Sequence, residues 1–344
     1  MDHPKPSVGI VPVTVPVTDA ARRFARQLAA DSIARGDATG WFERLYAAAD
    51  KGMTTVPWAD FAPEGRAVRF RVTSKKSRLY HQDAVAERLA RVVGAPLGGA
   101  DAAAPATQEF VVRLFRDECT VSADASGELL HRRGYRLATA KAPLRETLAA
   151  AMLAASGWTG AAPLVDPFAG SGTIPIEAAL YARRIPPGLR REFAFQHWPG
   201  YDARAWEALL AAARSAMLPH ARVPIAGSDR DAGAVAAATA NAERAGVGQD
   251  IVWRRAALSA VEPPPGPGWV VTNPPYGTRA GERRRLRDLY AQLGHVLRRG
   301  YGGWEVALLS AHAELERQAA LPFGTALATE NGGIRVRLVR ARVP

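Results

Sequence analysis

Cysteine is almost missing from this chain: among 344 residues there is one, Cys119. A lone thiol excludes an intramolecular disulfide, and no Cys/His cluster shows zinc-ligand spacing, so no metal is expected and the histidines are taken as ordinary residues. There is no Gly-x-Gly-x-x-Gly and no Gly-Lys-Ser/Thr, which removes support for a dinucleotide fold or a P-loop. The amino end, Met1 to Val8, is polar and lacks the apolar segment of a signal peptide, so a cytoplasmic location is expected. One uncharged run, Thr147 to Val165, is as long as a membrane span. It is rich in alanine and broken by Gly157, Gly160 and Pro163, which fits a buried helix followed by a strand.

What is present in excess is positive charge. A formal charge of +12 makes a polyanion the macromolecular partner to expect, although an arginine-rich composition alone would also produce it. An apolar content of 48% over this length is enough for two domains with real cores.

Two stretches carry chemistry. The first is Thr272-Asn273-Pro274-Pro275-Tyr276-Gly277, which closes the apolar run Trp269 to Val271. Two prolines cannot continue a sheet ladder, and Pro274 biases Asn273 towards extended backbone, so a strand ends here in a rigid turn. The turn presents an amide and an aromatic ring at a strand's carboxyl end, where open α/β sheets bind ligands. Such a turn suits attack by an exocyclic amine on a methyl sulfonium. The Asn273 side-chain oxygen and the Pro274 carbonyl can accept both N–H groups, and Tyr276 can stack on the base. A plain Pro-Pro-Tyr-Gly surface turn is the competing reading.

The second stretch is Leu164 to Thr173, where a short strand reaches Asp166 and Gly170 and Gly172 permit a tight turn before a helix opens at Thr173. Glycines let backbone approach a ligand, and the helix start offers N–H groups to a carboxylate or a phosphate. Further on, Asp229 ends a second strand and can accept from ribose hydroxyls; as a helix N-cap it would compete with Asp231.

Along the chain, Val11 to Val17 is expected to be extended, and Ala20 to Ile33 and Trp41 to Ala49 helical. Gly65 to Ser74 is expected as a strand, Gln82 to Val93 as a helix, Ala100 to Thr107 as a linker, and Phe110 to Phe115 with Cys119 to Ala123 as a hairpin. From Leu130 the texture changes to a basic run, then Lys141 and Pro143 at a helix start, and after that helix strands and helices alternate. The fold class expected is α/β, a mostly parallel doubly wound sheet with a terminal hairpin, Gly324 to Ala328 and Ile334 to Val339, preceded by an α+β unit. Between the glycine turn and Asp229 lies an insert, Ile185 to Val223, whose aromatics Phe193, Phe195, Trp198, Tyr201 and Trp206 interleave with Arg190 and Arg191. It is expected either as an RNA-facing wall or as a packed lid, with packing favoured.

Assembled, these residues resemble the THUMP-domain guanine-N2 RNA methyltransferases. The resemblance runs from about Val68 to Val339 and includes Val-Thr-Ser-Lys-Lys-Ser-Arg-Leu-Tyr-His from Val72, Leu-His-Arg-Arg-Gly-Tyr-Arg from Leu130, Asp-Pro-Phe-Ala-Gly-Ser-Gly-Thr from Asp166, Gly-Ser-Asp from Gly227, and Asn-Pro-Pro-Tyr-Gly from Asn273. It implies a Rossmann-like class I methyltransferase sheet, S-adenosylmethionine as donor, and structured RNA, rRNA or tRNA, as partner to a monomeric protein with no membrane. The implied domains are 1–60, an atypical ferredoxin-like region; 61–135, a THUMP domain; and 136–344, the methyltransferase. By the same resemblance Asp166, Phe168, Ala169, Gly170, Gly172, Thr173 and Asp229 would hold the cofactor, and Asn273, Pro274, Pro275 and Tyr276 the target amine. Lys75, Lys76, Arg132, Arg133 and Arg136 would track RNA. The chain departs from the pattern at Ala256 and Ala257, where an acid is usual, and at its short amino end. Methylation of guanine N2 in large-subunit rRNA is the reading expected. A tRNA enzyme, a DNA amino-methyltransferase and an RNA-binding protein with a decayed cofactor site are the alternatives.

Overall fold

The computed structural model describes residues 57–95, 107–116, 118–137, 144–276 and 283–344, with the backbone of 11–15. The helices expected over Ala20 to Ile33 and Trp41 to Ala49, the linker from Ala100, and Lys141, Pro143 and Gly277 lie outside the described residues. The chain forms two compact units, Met1–Leu129 with Glu192–Trp206, and Leu130–Arg191 with Glu207–Pro344.

The first unit has a four-stranded sheet of β1 (Val11–Val15), β2 (Val68–Lys75), β3 (Gln108–Phe115) and β4 (Glu118–Ala123), in the order β1-β4-β3-β2. β2 runs parallel to β3, and the other pairings are antiparallel. Helix α1 (Gln82–Val93) makes the crossover and ends at Gly94, whose φ of 68° closes the last turn. Strand alternation decides which side chains are inside: Val68, Phe70 and Val72 are buried against Val85 and Leu89, while Arg69 and Arg71 face away. The Trp58, Phe70 and Phe110 rings fill the centre at centroid separations of 5.1 to 6.0 Å.

Glu192–Trp206 belongs to this unit although the methyltransferase-like sequence surrounds it. Trp198 stands edge-on to Phe61 at 4.9 Å and donates through Nε1 to Gln108 Oε1 at 2.8 Å. Phe193, Phe195, Tyr201 and Trp206 pack on one another, which answers the choice between wall and lid in favour of packing. One element in the insert is unanticipated, helix Ala203–Ser215, started by Asp202, whose carboxylate accepts from the Arg204 and Ala205 N–H groups.

The second unit is a seven-stranded sheet. Its strands are β5 (Leu164–Asp166), β6 (Ile225–Asp229), β7 (Ile251–Arg255), β8 (Trp269–Thr272), β9 (Glu305–Ser310), β10 (Gly324–Asn331) and β11 (Ile334–Arg342), in the order β10-β11-β9-β8-β5-β6-β7. The five strands from β9 to the β7 edge are parallel, and the β10–β11 hairpin adds the antiparallel edge. In the middle of the sheet both faces are covered, so β5, β8 and β9 are apolar on both sides. Leu164, Val271 and Leu309 join a cluster with Met152 and Ile176, whereas Val165, Val270 and Leu308 join Tyr290, Leu293 and Leu297. The uncharged run resolves into a helix, Glu146–Ser156, terminated at Gly157 (φ 82°), and then β5. Among the described residues no helix is long and apolar enough to cross a membrane. The order of the parallel strands reverses between β5 and β8, and it is outside the carboxyl ends of strands at such a reversal that open α/β sheets bind their ligands.

Candidate active site

Both motifs fall at that reversal. Asp166 ends β5 and is fully buried; its Oδ1 accepts from Thr272 Oγ1 at 2.6 Å and from the Phe168 N–H at 3.1 Å. Thr272 ends β8, so one short hydrogen bond ties the glycine-turn strand to the strand carrying the amide turn, 106 residues apart. The glycine turn is braced from β6. The Ala169 N–H donates to the Ser228 carbonyl at 2.9 Å, and the Gly170 N–H to Asp229 Oδ2 at 3.1 Å. Asp231, not Asp229, caps the next helix (Ala232–Ala245), accepting from Gly233 and Ala234 N–H groups. The helix cap therefore falls to Asp231, whose own N–H donates to Asp229 Oδ1 at 2.9 Å. The Asp229 carboxylate faces the turn and has lone pairs left for another donor.

Gly170 has φ +52°, and nothing lies within 4 Å of where a Cβ would stand, so the backbone borders open space. Gly172 has φ +87° and precedes helix Thr173–Ala182; a Cβ there would meet Trp253 Cη2 at 2.8 Å and Ala238 Cβ at 2.9 Å. Phe168 is half-buried, while Ala169 and Thr173 are buried. Past β7, Ala256 and Ala257 offer no acid; the Ala256 N–H donates to the Asp229 carbonyl at 3.0 Å.

At the end of β8, Pro274 is buried, Pro275 exposed, and Asn273 and Tyr276 half-buried. Among the described residues Asn273 Oδ1 is a buried acceptor with no partner, and Ser228 Oγ in β6 and the Trp253 indole N–H in β7 are likewise unpartnered. Leaving such an atom unsatisfied costs about 1 to 3 kcal/mol, so the Asn273 oxygen, just past the end of β8, is an acceptor held ready for a polar partner. Tyr276 is anchored by its hydroxyl, which accepts from Asn331 Nδ2 at 2.6 Å.

The residues expected to track RNA separate into two groups. Lys75, Lys76 and Arg132 are exposed. Lys76 takes φ +54°, a conformation costing roughly 1 to 2 kcal/mol in a residue with a Cβ. Arg133 and Arg136 instead serve the interior. Arg133 Nε pairs with Glu177 Oε1 at 3.1 Å, and Arg136 donates to Glu146 Oε2 at 3.0 Å and to the Leu144 carbonyl at 2.6 Å. Glu177 and Glu146 are only 5% and 2% exposed, so their charges need these guanidiniums, and the surface role expected of Arg133 and Arg136 gives way to a structural one. Sequence reasoning names Thr272 only as the first residue of its motif, without a role, and assigns none to Trp253, Asn331 or Asn241, whose Nδ2 donates to the Ser171 carbonyl at 3.0 Å. For Thr272 the signal is present, since a hydroxyl ending a buried strand has to find a partner.

Burial raises the Asp166 carboxyl to about 7, with nearby Asp229 adding to the shift and the Thr272 and Phe168 hydrogen bonds opposing it. A folded-state value above the unfolded one, near 3.9, means that this group's stabilisation is complete below about pH 4 and is lost as pH rises towards 7. The slope should approach about 1.4 kcal/mol per pH unit within that window. Asp166→Asn, which still accepts from Thr272, should flatten the unfolding midpoint between pH 5 and 7 relative to wild type. Parallel pH curves for the two proteins would refute the assignment.

Sheet order, edge hairpin and glycine turn together define the class I methyltransferase fold. A family model described as the RMKL-like methyltransferase domain matches residues 133–338, and the chain belongs to that family. Protein slr0064 of Synechocystis sp. is 38% identical over 228 residues, covering 66% of this chain and 59% of the relative. The ribosomal RNA large subunit methyltransferase K/L of Shewanella sp. (strain W3-18-1) is 43% identical over 220 residues, covering 62% of this chain and 31% of the relative. The chain thus spans about three fifths of one relative's length and under a third of the other's. The crystal structure of SMU.472 complexed with SAH superposes with a TM-score of 0.74 at 25% identity, over 87% of this chain and 81% of that one.

Proposed function

We propose that this chain is an S-adenosylmethionine-dependent RNA methyltransferase that methylates the exocyclic N2 amine of a guanine, in large-subunit rRNA. The carrying observation is the buried, unpartnered Asn273 Oδ1 on a turn tied through Thr272 to Asp166. The name of the Shewanella relative and the SAH held by SMU.472 support the substrate and the donor. The residues fit the cofactor: an open glycine turn, a helix start, and two carboxylates at neighbouring strand ends. Asp166, the Gly170 to Thr173 turn and Asp229 would hold it, and its sulfonium supplies an electrophilic methyl group.

The remaining work belongs to the chain's own atoms. Asn273 Oδ1 and the Pro274 carbonyl accept hydrogen bonds from the two amine N–H groups, which turns the nitrogen lone pair out of conjugation with the ring. Tyr276 holds the base plane by stacking, a contact worth about 1 to 3 kcal/mol. With the donor bound, the amine held by Asn273 and Pro274 would form a C–N bond as the C–S bond broke, and would shed its proton to water. A base placed here has left its own stack, which favours looped or unpaired targets.

Incubation with labelled S-adenosylmethionine and separate pools of rRNA, tRNA and DNA, followed by nucleoside mass spectrometry, tests the proposal. N2-methylguanosine in rRNA supports it; label only in tRNA, or only in DNA, replaces the substrate. For the N-terminal unit we propose a THUMP-type RNA-binding role through Lys75 and Lys76, and for Arg132, in the second unit, a separate phosphate contact. Neutralising these three should lower affinity for all structured RNAs and reduce the slope of log affinity against log salt by roughly 0.7 to 0.9 for each phosphate no longer neutralised. Cofactor affinity should not change. An unaltered slope would make the basicity compositional.

A further inference from the structure

The amide turn is held from an unexpected direction. Strand β10 ends at Asn331, and a two-residue turn, Gly332 and Gly333 with φ of 58° and 81°, returns the chain into β11 with Asn331 paired to Ile334. This hairpin is the antiparallel edge of the sheet, and β10 stands three positions away from β8 in strand order. Yet the Asn331 amide reaches Tyr276 Oη at 2.6 Å, across 55 residues of sequence. Tyr276 is half-buried and packs against the apolar clusters on both faces of the sheet, so its ring already has walls. What walls do not decide is the ring's position along its own long axis, and a hydrogen bond at the far tip does. The backbone end is stiffened by Pro274 and Pro275. With both ends held, the stacking face is preorganised before a base arrives.

We propose that Asn331 is a positioning residue for methyl transfer, acting through the Tyr276 hydroxyl, and that the edge hairpin is thereby part of the target-base site. This rests on the proposed reading of Asn273 to Tyr276 as the amine-holding turn. The competing role is local, because Asn before a Gly-Gly pair is also a common turn residue.

A double-mutant cycle separates the two. Tyr276→Phe keeps the stacking face and deletes the hydroxyl. Asn331→Ala in the wild-type background should lower kcat on RNA by about 3- to 10-fold, the range for one net hydrogen bond, with SAH affinity within about twofold. In the Tyr276→Phe background the same change should have less than about a twofold effect. Asn331→Asp, whose carboxylate accepts from the phenol, should restore most of the rate. NMR of ring-labelled tyrosine supplies a readout independent of turnover: the Tyr276 resonance should shift in Asn331→Ala and return towards wild type in Asn331→Asp. An equal loss of rate in both backgrounds, or an unmoved Tyr276 resonance, overturns the inference. A resonance that moves in a protein whose wild type methylates no nucleic acid would sink the proposed function and leave the positioning contact standing.

Discussion

Asn273→Ala should lower methyl transfer on the order of 100- to 1,000-fold, the usual effect of deleting one preorganised polar group at a reacting centre. Its effect on folding should run the other way. Asn273 Oδ1 is buried without a partner, so the fold gains nothing from it and bears its desolvation. Removing it should leave the unfolding midpoint unchanged or raise it, while SAH affinity stays within a few-fold. Lost activity with retained or improved stability is the pattern of a residue kept for function. Wild-type turnover in this variant would return the turn to a structural role. A large fall in midpoint would show that the oxygen has a structural partner after all.

Gly227→Ala should destabilise the fold and disturb the glycine turn together. The added Cβ would overlap Trp253 Cζ3, lie 2.7 Å from Cε3, and stand 3.2 Å from Ala169 Cβ, all inside a covered sheet. Overpacking of this kind costs typically about 1 to 3 kcal/mol. Because Ala169 lies in the glycine turn and donates to Ser228, strain at Gly227 should pass into the turn and weaken SAH binding as well. Trimming the indole should relieve it: Gly227→Ala/Trp253→Leu is expected to be more stable than the sum of the two single changes allows, in chemical unfolding. An unaffected midpoint in Gly227→Ala, or strict additivity, would mean that the sheet accommodates the methyl group by moving.

How much is legible in the sequence follows from which forces are local. Pro274 and Pro275 stop a strand wherever they occur, and Gly170 and Gly172 permit their turn from their own backbone freedom, so both motif loops can be placed from sequence. Helix Gln82–Val93 and the strands around it follow from periodicity and a glycine cap. The helix Ala203–Ser215 is masked by the aromatic residues around its start, although Asp202 is an ordinary capping residue. Arg133 and Arg136 look like a basic surface because a charge run shows no sign of its partners; Glu177 is 44 residues away from Arg133 in sequence. The Trp253–Gly227 approach and the Asn331–Tyr276 contact are tertiary facts with no local signature. They occur where strands distant in sequence become neighbours.

The discontinuity of the first unit has a consequence for how such a protein is made and divided. Trp198, with its bond to Gln108 and its edge contact on Phe61, belongs to a segment translated only after β5 and the glycine turn. During synthesis the amino-terminal unit therefore waits, incomplete, while the catalytic sequence begins to emerge. A fragment cut after Leu129 lacks that segment and leaves Gln108 and Phe61 without their partner. A gene fusion joined at the same point would graft an unfinished module. Each unit is compact, yet the two are interleaved in the reading frame, so one cannot be inherited, swapped or expressed without part of the other.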